Sequence, residues 1–122
     1  MAKVLIVEDN AANMTLAVFL LQSAGHTVVS ATDAEAGLTL ARAEQPNLIL
    51  MDIQLPGMDG LQATALLKAD AATVAIPVIA LTALAMKGDE ERIRAAGCDG
   101  YIAKPMRYEA FLVTVAAQLA QA

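Results

Sequence analysis

The chain has 122 residues, enough for one domain with a buried core, and 57% of them are hydrophobic. No apolar run approaches the roughly 18 residues that a membrane-spanning helix needs, so we expect no membrane partner. The net charge is −5, with only 8 Lys and Arg and no Trp, which excludes the basic and aromatic surface typical of nucleic-acid binding.

Short apolar runs alternate with segments of helical length along the whole chain. Runs of this kind are typical of buried parallel strands, and Gly25, Asp33 and Gly97 stand where helices are expected to end or begin. The predicted elements, in chain order, are a strand at Lys3–Glu8, a helix from Asn10 to Gly25, a strand at Val28–Ala31, a helix from Asp33 to Glu44, a strand ending at Asp52, a helix from about Gly60 to Asp70, a strand from Pro77, a helix near Gly88–Ala96, a strand at Tyr101–Ala103 and a helix at Tyr108–Leu119.

Five strands alternating with five helices indicate an α/β fold in which helices cover both faces of a parallel sheet. Right-handed crossovers leave few arrangements of such a chain. If the second strand lies outside the first, and the third on its other side, the strand order is 2-1-3-4-5. This is the order of a doubly wound, flavodoxin-like fold, in which ligands bind beyond the carboxyl ends of the strands.

Chemically active side chains stand where the predicted strands end. Glu8 and Asp9 close the first strand, and Asp52 ends the third. Thr82 ends the fourth strand, and Lys104 follows the fifth. Carboxylate oxygens are the ligands that a hard divalent cation prefers, and lysine supplies a positive charge for phosphoryl oxygens. The sequence therefore predicts a site for a divalent metal ion and a phosphoryl group at one edge of the sheet.

Four short motifs, in this order, resemble those of response-regulator receiver domains, and the resemblance covers the whole chain. They are Val7-Glu8-Asp9-Asn10, the segment Met51–Gly60, Leu81-Thr82-Ala83 and Lys104-Pro105. The stretch 82–92 is further similar to single-domain regulators of bacterial cell division and to receiver modules of hybrid sensor kinases. The resemblance implies a phosphoacceptor response regulator in a His-Asp phosphorelay.

The resemblance also assigns the acceptor and the metal ligands. Asp52 would attack phosphorus as a carboxylate and form an aspartyl phosphate. Asp9 would bind Mg²⁺ directly and Glu8 through water, while Asp52 and the backbone carbonyl of Gln54 would complete the protein ligands. Phosphorylation of Asp52 would then depend on Mg²⁺ and would switch a protein-binding surface. We expect the protein to be a phosphoacceptor that takes part in its own phosphorylation and dephosphorylation, and not an enzyme that acts on a separate substrate.

The remaining site residues have a role by resemblance and a simpler alternative. Thr82 and Lys104 would hydrogen-bond the phosphoryl oxygens, and the Ala83 amide would add a donor. Otherwise Thr82 caps the next helix, and Lys104 is an ordinary surface lysine. The family typically has a cis peptide before the proline, so we expect a cis bond between Lys104 and Pro105.

Partner surfaces follow from the same resemblance. A histidine kinase or histidine phosphotransfer protein would dock on the first helix and the site loops, and a downstream protein on the fourth helix, fifth strand and fifth helix. Tyr101 would rotate inward behind Thr82 in the switch; a static Tyr101 with its hydroxyl at the surface is an equal alternative.

The first helix has more apolar surface than one core face uses. Phe19 and its neighbours are therefore predicted to contact a partner, unless the helix is buried more completely than usual. The two candidate buried stripes are Asn13, Leu16, Ala17, Leu20 and Ala24, or Met14, Ala17, Val18 and Leu21.

Three other classes of protein compete with a working receiver. A haloacid-dehalogenase-type phosphatase wants a second acid two residues after its nucleophile, and here that residue is Gln54. A flavodoxin-like electron carrier needs aromatic side chains around its flavin, but the chain has 2 Tyr, 2 Phe and no Trp. The last rival is a degenerate receiver that only binds partners, and the presence of all five strand-end residues counts against it.

The cysteine count and the two ends favour a cytoplasmic, stand-alone domain over residues 1–122. Cys98 is the only cysteine, which excludes an internal disulfide and fits a reducing compartment. Met1-Ala2-Lys3 leads directly into a strand and leaves no room for a signal peptide. A receiver excised from a longer chain would look the same, but we expect Met1 and Gln121-Ala122 to be natural ends.

Overall fold

A computed structural model describes residues 2–83 and 87–120 and contains a five-stranded parallel sheet with the order β2-β1-β3-β4-β5. The predicted order and the alternation of strands and helices are thereby confirmed. The two ends of the chain, and residues 84–86 of the stretch similar to cell-division regulators, lie outside the described residues. The elements are β1 (Lys3–Val7), α1 (Ala11–Ser23), β2 (Thr27–Ala31), α2 (Ala34–Glu44), β3 (Leu48–Asp52), α3 (Gly60–Ala69), β4 (Val78–Thr82), α4 (Lys87–Ala95), β5 (Gly100–Ala103) and α5 (Tyr108–Ala120).

Polar caps and glycines fix where the helices begin and end. The side chains of Asn10, Asp33 and Asp59 each accept a backbone N–H of the first turn that follows, which satisfies a donor that the helix itself leaves unpaired. Gly25 and Gly97, with φ of 91° and 106°, adopt the left-handed conformation that turns the chain after α1 and α4. The helix boundaries predicted from these residues are confirmed to within one or two positions.

Two apolar layers sandwich the sheet. The helices α2, α3 and α4 pack on one face, and α1 and α5 pack on the other. Every residue of β3 and β4 is buried, as expected for central strands covered on both sides. No helix within residues 2–83 and 87–120 is long and apolar enough to cross a membrane.

Helix α1 leaves part of its apolar surface outside the core. The side chains turned toward the sheet are Met14, Ala17, Val18, Leu20 and Leu21. This set is the second predicted stripe with Leu20 added. Leu16 is exposed and Phe19 is 62% exposed, so the alternative of a fully buried helix is wrong.

Candidate functional site

The register of the sheet brings the predicted residues to one edge. Val7 lies opposite Met51, so Glu8 and Asp52 follow at the carboxyl ends of adjacent strands. On the other side of β3, Asp52 pairs with Leu81, which places Thr82 one residue beyond it. The backbone N–H of Lys104 donates to the carbonyl of Thr82 at 2.7 Å, and the Lys104–Pro105 bond is cis, as expected.

Three carboxylates form a compact cluster at this edge. One carboxylate oxygen from each of Glu8, Asp9 and Asp52 lies within 4.8 Å of the other two. Glu8 and Asp52 are buried, whereas Asp9 is exposed to solvent. The backbone N–H of Gln54 donates to Oδ1 of Asp52 at 3.0 Å and so holds the next peptide beside the cluster. An all-oxygen set of donors fits a hard divalent cation such as Mg²⁺.

Lys104 bridges the two buried acids. Its Nζ lies 2.8 Å from Oε1 of Glu8 and 3.0 Å from Oδ2 of Asp52, and its side chain is 16% exposed. Within the described part of the chain, Oε1 of Glu8 has this ion-pair contact but no hydrogen bond. The other oxygen, Oε2, accepts the backbone N–H of Asn10 at 3.2 Å. The buried acids are thus partly neutralised by the lysine and retain acceptor capacity for a cation or a water molecule.

The pKa values of the two buried acids, Glu8 and Asp52, are shifted in opposite directions. Burial, together with the adjacent carboxylate of Asp52, raises the pKa of Glu8 to about 7, although Lys104 and the Asn10 amide act in the other direction. Burial would also raise the pKa of Asp52, but the adjacent Glu8 carboxyl, which takes up the proton instead, the hydrogen bond from the Gln54 amide and the charge of Lys104 outweigh burial and hold that pKa below its usual range. Without a metal ion, Glu8 therefore carries the proton at acidic pH and Asp52 stays ionised.

The two residues of the predicted switch lie on the neighbouring strands β4 and β5. Thr82 is fully buried at the end of β4, and Ala83 is exposed just beyond it. Tyr101 on β5 is half-buried, and its hydroxyl lies 3.5 Å from Oε2 of Glu90 on α4. The ring of Tyr101 thus contacts the surface that the predicted switch would change.

Two features of the site were not predicted from the sequence. Lys104 was expected to contact phosphoryl oxygens, but its role as a bridge between Glu8 and Asp52 was missed. The second is the close approach of Gly60 to the backbone of Asp52. The sequence shows only that a glycine directly follows the helix cap Asp59, which does not reveal the contact.

Known proteins share both the sequence and the fold. Residues 4–116 match the family described as the response regulator receiver domain. The chain is 49% identical to "Polar-differentiation response regulator DivK" from Brucella anthropi over 119 residues, covering 98% of this chain and 97% of that protein. The protein of the same name from Brucella ovis is also 49% identical over 119 residues.

Solved structures give the same result. The receiver domain of a Pseudomonas aeruginosa sensor histidine kinase, whose active site cleft coordinates a magnesium ion, has a TM-score of 0.90 and 34% identity, with 98% of each chain covered. A response regulator from Chloroflexus aurantiacus has a TM-score of 0.93 and 27% identity, with 98% of each chain covered. Together with the acidic cluster at the predicted edge, these matches show that the chain belongs to the response regulator receiver domain family.

Proposed function

We propose that the protein is a phosphoacceptor response regulator of a His-Asp phosphorelay, and that Mg²⁺-dependent phosphorylation of Asp52 switches a protein-binding surface. The observation that carries the proposal is the position of the Asp52 carboxylate, held by the Gln54 amide and by Lys104 among three acids. In this proposal, residues 1–122 act as one cytoplasmic receiver domain.

Asp52 would act as the nucleophile. Its low pKa keeps it ionised at neutral pH, so no general base is needed. One carboxylate oxygen forms a bond to phosphorus as the N–P bond of a phosphohistidine breaks, and the electron pair of that bond leaves on the imidazole nitrogen. Lys104, already 3.0 Å from the carboxylate, would move its charge to the phosphoryl oxygens, and the Thr82 hydroxyl would donate to them.

The acids of the cluster would hold Mg²⁺. Asp9 and Asp52 would bind it directly, Glu8 would bind it through water, and the carbonyl of Gln54 would complete the protein ligands. When bound, the ion neutralises the carboxylates and the phosphoryl oxygens that they approach. The protein does not turn over a separate substrate in this scheme; it takes part in its own phosphorylation and in the later hydrolysis of the aspartyl phosphate.

The output surface would be formed by α4, β5 and α5. Thr82 and Tyr101 lie on neighbouring strands, and the Tyr101 hydroxyl is next to Glu90 of α4. Once the Thr82 hydroxyl turns toward a phosphoryl group, Tyr101 would rotate inward and leave Glu90. This movement shifts the equilibrium between two conformations of the output surface and so changes its affinity for a downstream protein.

The input surface would be α1. Its first residue follows Asp9 by two positions, so a protein donor that reaches Asp52 must lie over the N-terminal end of this helix. An apolar depression there is lined by Ala11, Ala12, Thr15, Leu16 and Phe19. The sequence of α1 contains no charged residue, and α5 on the same face contains only Glu109. A histidine kinase or histidine phosphotransfer protein would therefore dock through apolar contacts.

The test is to incubate the protein with Mg²⁺ and acetyl phosphate and to measure its intact mass. We expect one added phosphoryl group that requires Mg²⁺ and is missing from Asp52→Asn. If neither an adduct nor binding of Mg²⁺ and beryllofluoride is found, the protein is a degenerate receiver and the proposal is wrong. Binding of beryllofluoride without a lasting adduct supports an acceptor whose phosphate is hydrolysed quickly.

A further inference from the structure

The first turn of α3 lies directly on the backbone of the acceptor. The N–H of Gly60 donates to the carbonyl of Ile53 at 3.2 Å. A Cβ atom at position 60 would lie 2.1 Å from the carbonyl oxygen of Asp52 and 2.7 Å from Cα of Ile53. Both distances are far below van der Waals contact, and both involve backbone atoms that cannot rotate away. Glycine is therefore required at this position for space.

The turn that carries Gly60 is itself held firmly. Asp59 and Gln62 form a reciprocal capping box, with bonds of 2.8 Å and 3.0 Å. The hydroxyl of Thr64, which is fully buried, donates to the carbonyl of Gly60 at 2.8 Å. Because the helix start is fixed from both sides, a methyl group added at Gly60 would displace the Asp52–Ile53 peptide more than the turn.

The peptide that would move belongs to the site. It sets the direction of the Asp52 side chain, and it leads to Gln54, whose amide holds Oδ1 of Asp52 at 3.0 Å. It also determines where the carbonyl of Gln54 stands relative to the acids. The displacement needed to bring this 2.1 Å approach to van der Waals distance would change the geometry of the acceptor and of the metal ligands together.

We propose that Gly60 is a positioning residue for this site: its missing side chain lets α3 fix the orientation of Asp52 and of the Gln54 peptide. The inference rests on the proposed function, since it takes Asp52 as the acceptor and the cluster as a Mg²⁺ site. Gly60 would thus control the affinity for Mg²⁺ and the rate of phosphorylation without touching the phosphoryl group or the ion.

The first experiment compares Gly60→Ala with the parent protein by titrating each with Mg²⁺ in a calorimeter and by measuring the rate of adduct formation from acetyl phosphate. Residues that orient metal ligands from behind typically change metal affinity by about 10- to 100-fold, so we expect Mg²⁺ binding at least about tenfold weaker. The rate should stay low even at saturating Mg²⁺, because the carboxylate itself is turned.

Two other glycines provide matched controls. Gly88 on α4 has open space around it, and Gly88→Ala should bind Mg²⁺ like the parent. A Cβ at Gly37 would lie 2.7 Å from Cγ2 of Val7, a side-chain atom in the same apolar layer. Gly37→Ala should lower the melting temperature with less than a threefold effect on Mg²⁺ affinity, which separates loss of stability from loss of position.

A second pair of variants keeps the test valid if Gly60→Ala does not fold. Thr64→Val removes the hydroxyl that anchors the carbonyl of Gly60, whereas Thr64→Ser keeps it. We expect Thr64→Val to weaken Mg²⁺ binding several-fold and Thr64→Ser to restore it. If a folded Gly60→Ala binds Mg²⁺ and is phosphorylated within twofold of the parent, or if the two Thr64 variants behave alike, the inference is wrong. Failure of the proposed function is distinct, since the parent protein would then show neither binding nor adduct.

Discussion

The bridge from Lys104 to two buried acids makes the metal-free protein depend on this lysine for its stability. The change that tests this dependence is Lys104→Met, which keeps an unbranched side chain of similar length but removes the charge. Glu8 and Asp52 then lose the one cation that the described residues place within ion-pair distance of them. We expect the variant to unfold more easily than the parent when Mg²⁺ is absent.

The expected loss follows from the geometry. At separations near 3 Å, each ion pair attracts by about 5 kcal/mol at an effective dielectric of 20, but burying the charges offsets much of this. Removing one partner of a buried pair typically costs about 3–5 kcal/mol. Lys104 is 16% exposed and Glu8 can take up a proton, so we expect a loss at or just below the lower end of that range, about 2–3 kcal/mol near pH 8. Near pH 6 the loss should be smaller, because Glu8 is then protonated.

The assay is urea unfolding followed by circular dichroism, first in a chelator and then with Mg²⁺. The added ion replaces the missing charge, so Mg²⁺ should stabilise Lys104→Met more than it stabilises the parent. Lys3→Met is the control, because the exposed pair of Lys3 and Glu44 should contribute less than about 1 kcal/mol. If Lys104→Met is as stable as the parent near pH 8 without Mg²⁺, Lys104 does not hold the acids together.

Two further predictions concern docking and metal binding. Phe19→Ala should slow phosphoryl transfer from a phosphorylated histidine phosphotransfer domain by about tenfold or more, but the rate of phosphorylation by acetyl phosphate should not change, since only the protein donor covers α1. The control is Leu66→Ala, a substitution of an exposed residue on α3, which should change neither rate. The pKa of Glu8, about 7 against an ordinary 4.5, means that Mg²⁺ must displace a proton below that pH. Calorimetric affinity for Mg²⁺ should therefore rise from pH 6 to 8, and a constant affinity would contradict the protonated state of Glu8.

The fold was predictable because local signals and the apolar pattern agree. Each central strand is a short apolar run, and the first three helices begin after side chains that cap them, namely Asn10, Asp33 and Asp59. The buried stripe of α1 was not predictable to the same degree. Almost every residue of α1 is apolar or small, so the sequence has little periodicity, and the direction of the buried face is set by contacts with the sheet and α5.

The residues that form the site could be predicted from the sequence, but the contacts among them could not. The residues at strand ends must meet at one edge, so Glu8, Asp9 and Asp52 were found from their positions alone. The bridge from Lys104 and the close approach of Gly60 to the Asp52 backbone depend on differences in distance of a few tenths of an ångström. Spacing along the chain carries no information at that scale.

The face formed by α1 and α5, with Glu109 as the one charged residue in these two helices, affects how a donor protein selects this receiver among similar ones. Charged rims on a surface can repel a wrong donor before contact. A face with one charged residue can do little of this, and it attracts a donor only weakly from a distance. This face should steer encounters little, so association should lie near the roughly 10⁵–10⁶ M⁻¹s⁻¹ of neutral surfaces and depend on salt mainly through the acidic cluster and the net charge of −5. The selection of the correct donor must then depend on the lifetime of the complex, which is set by the contacts of the donor with Phe19 and Leu16.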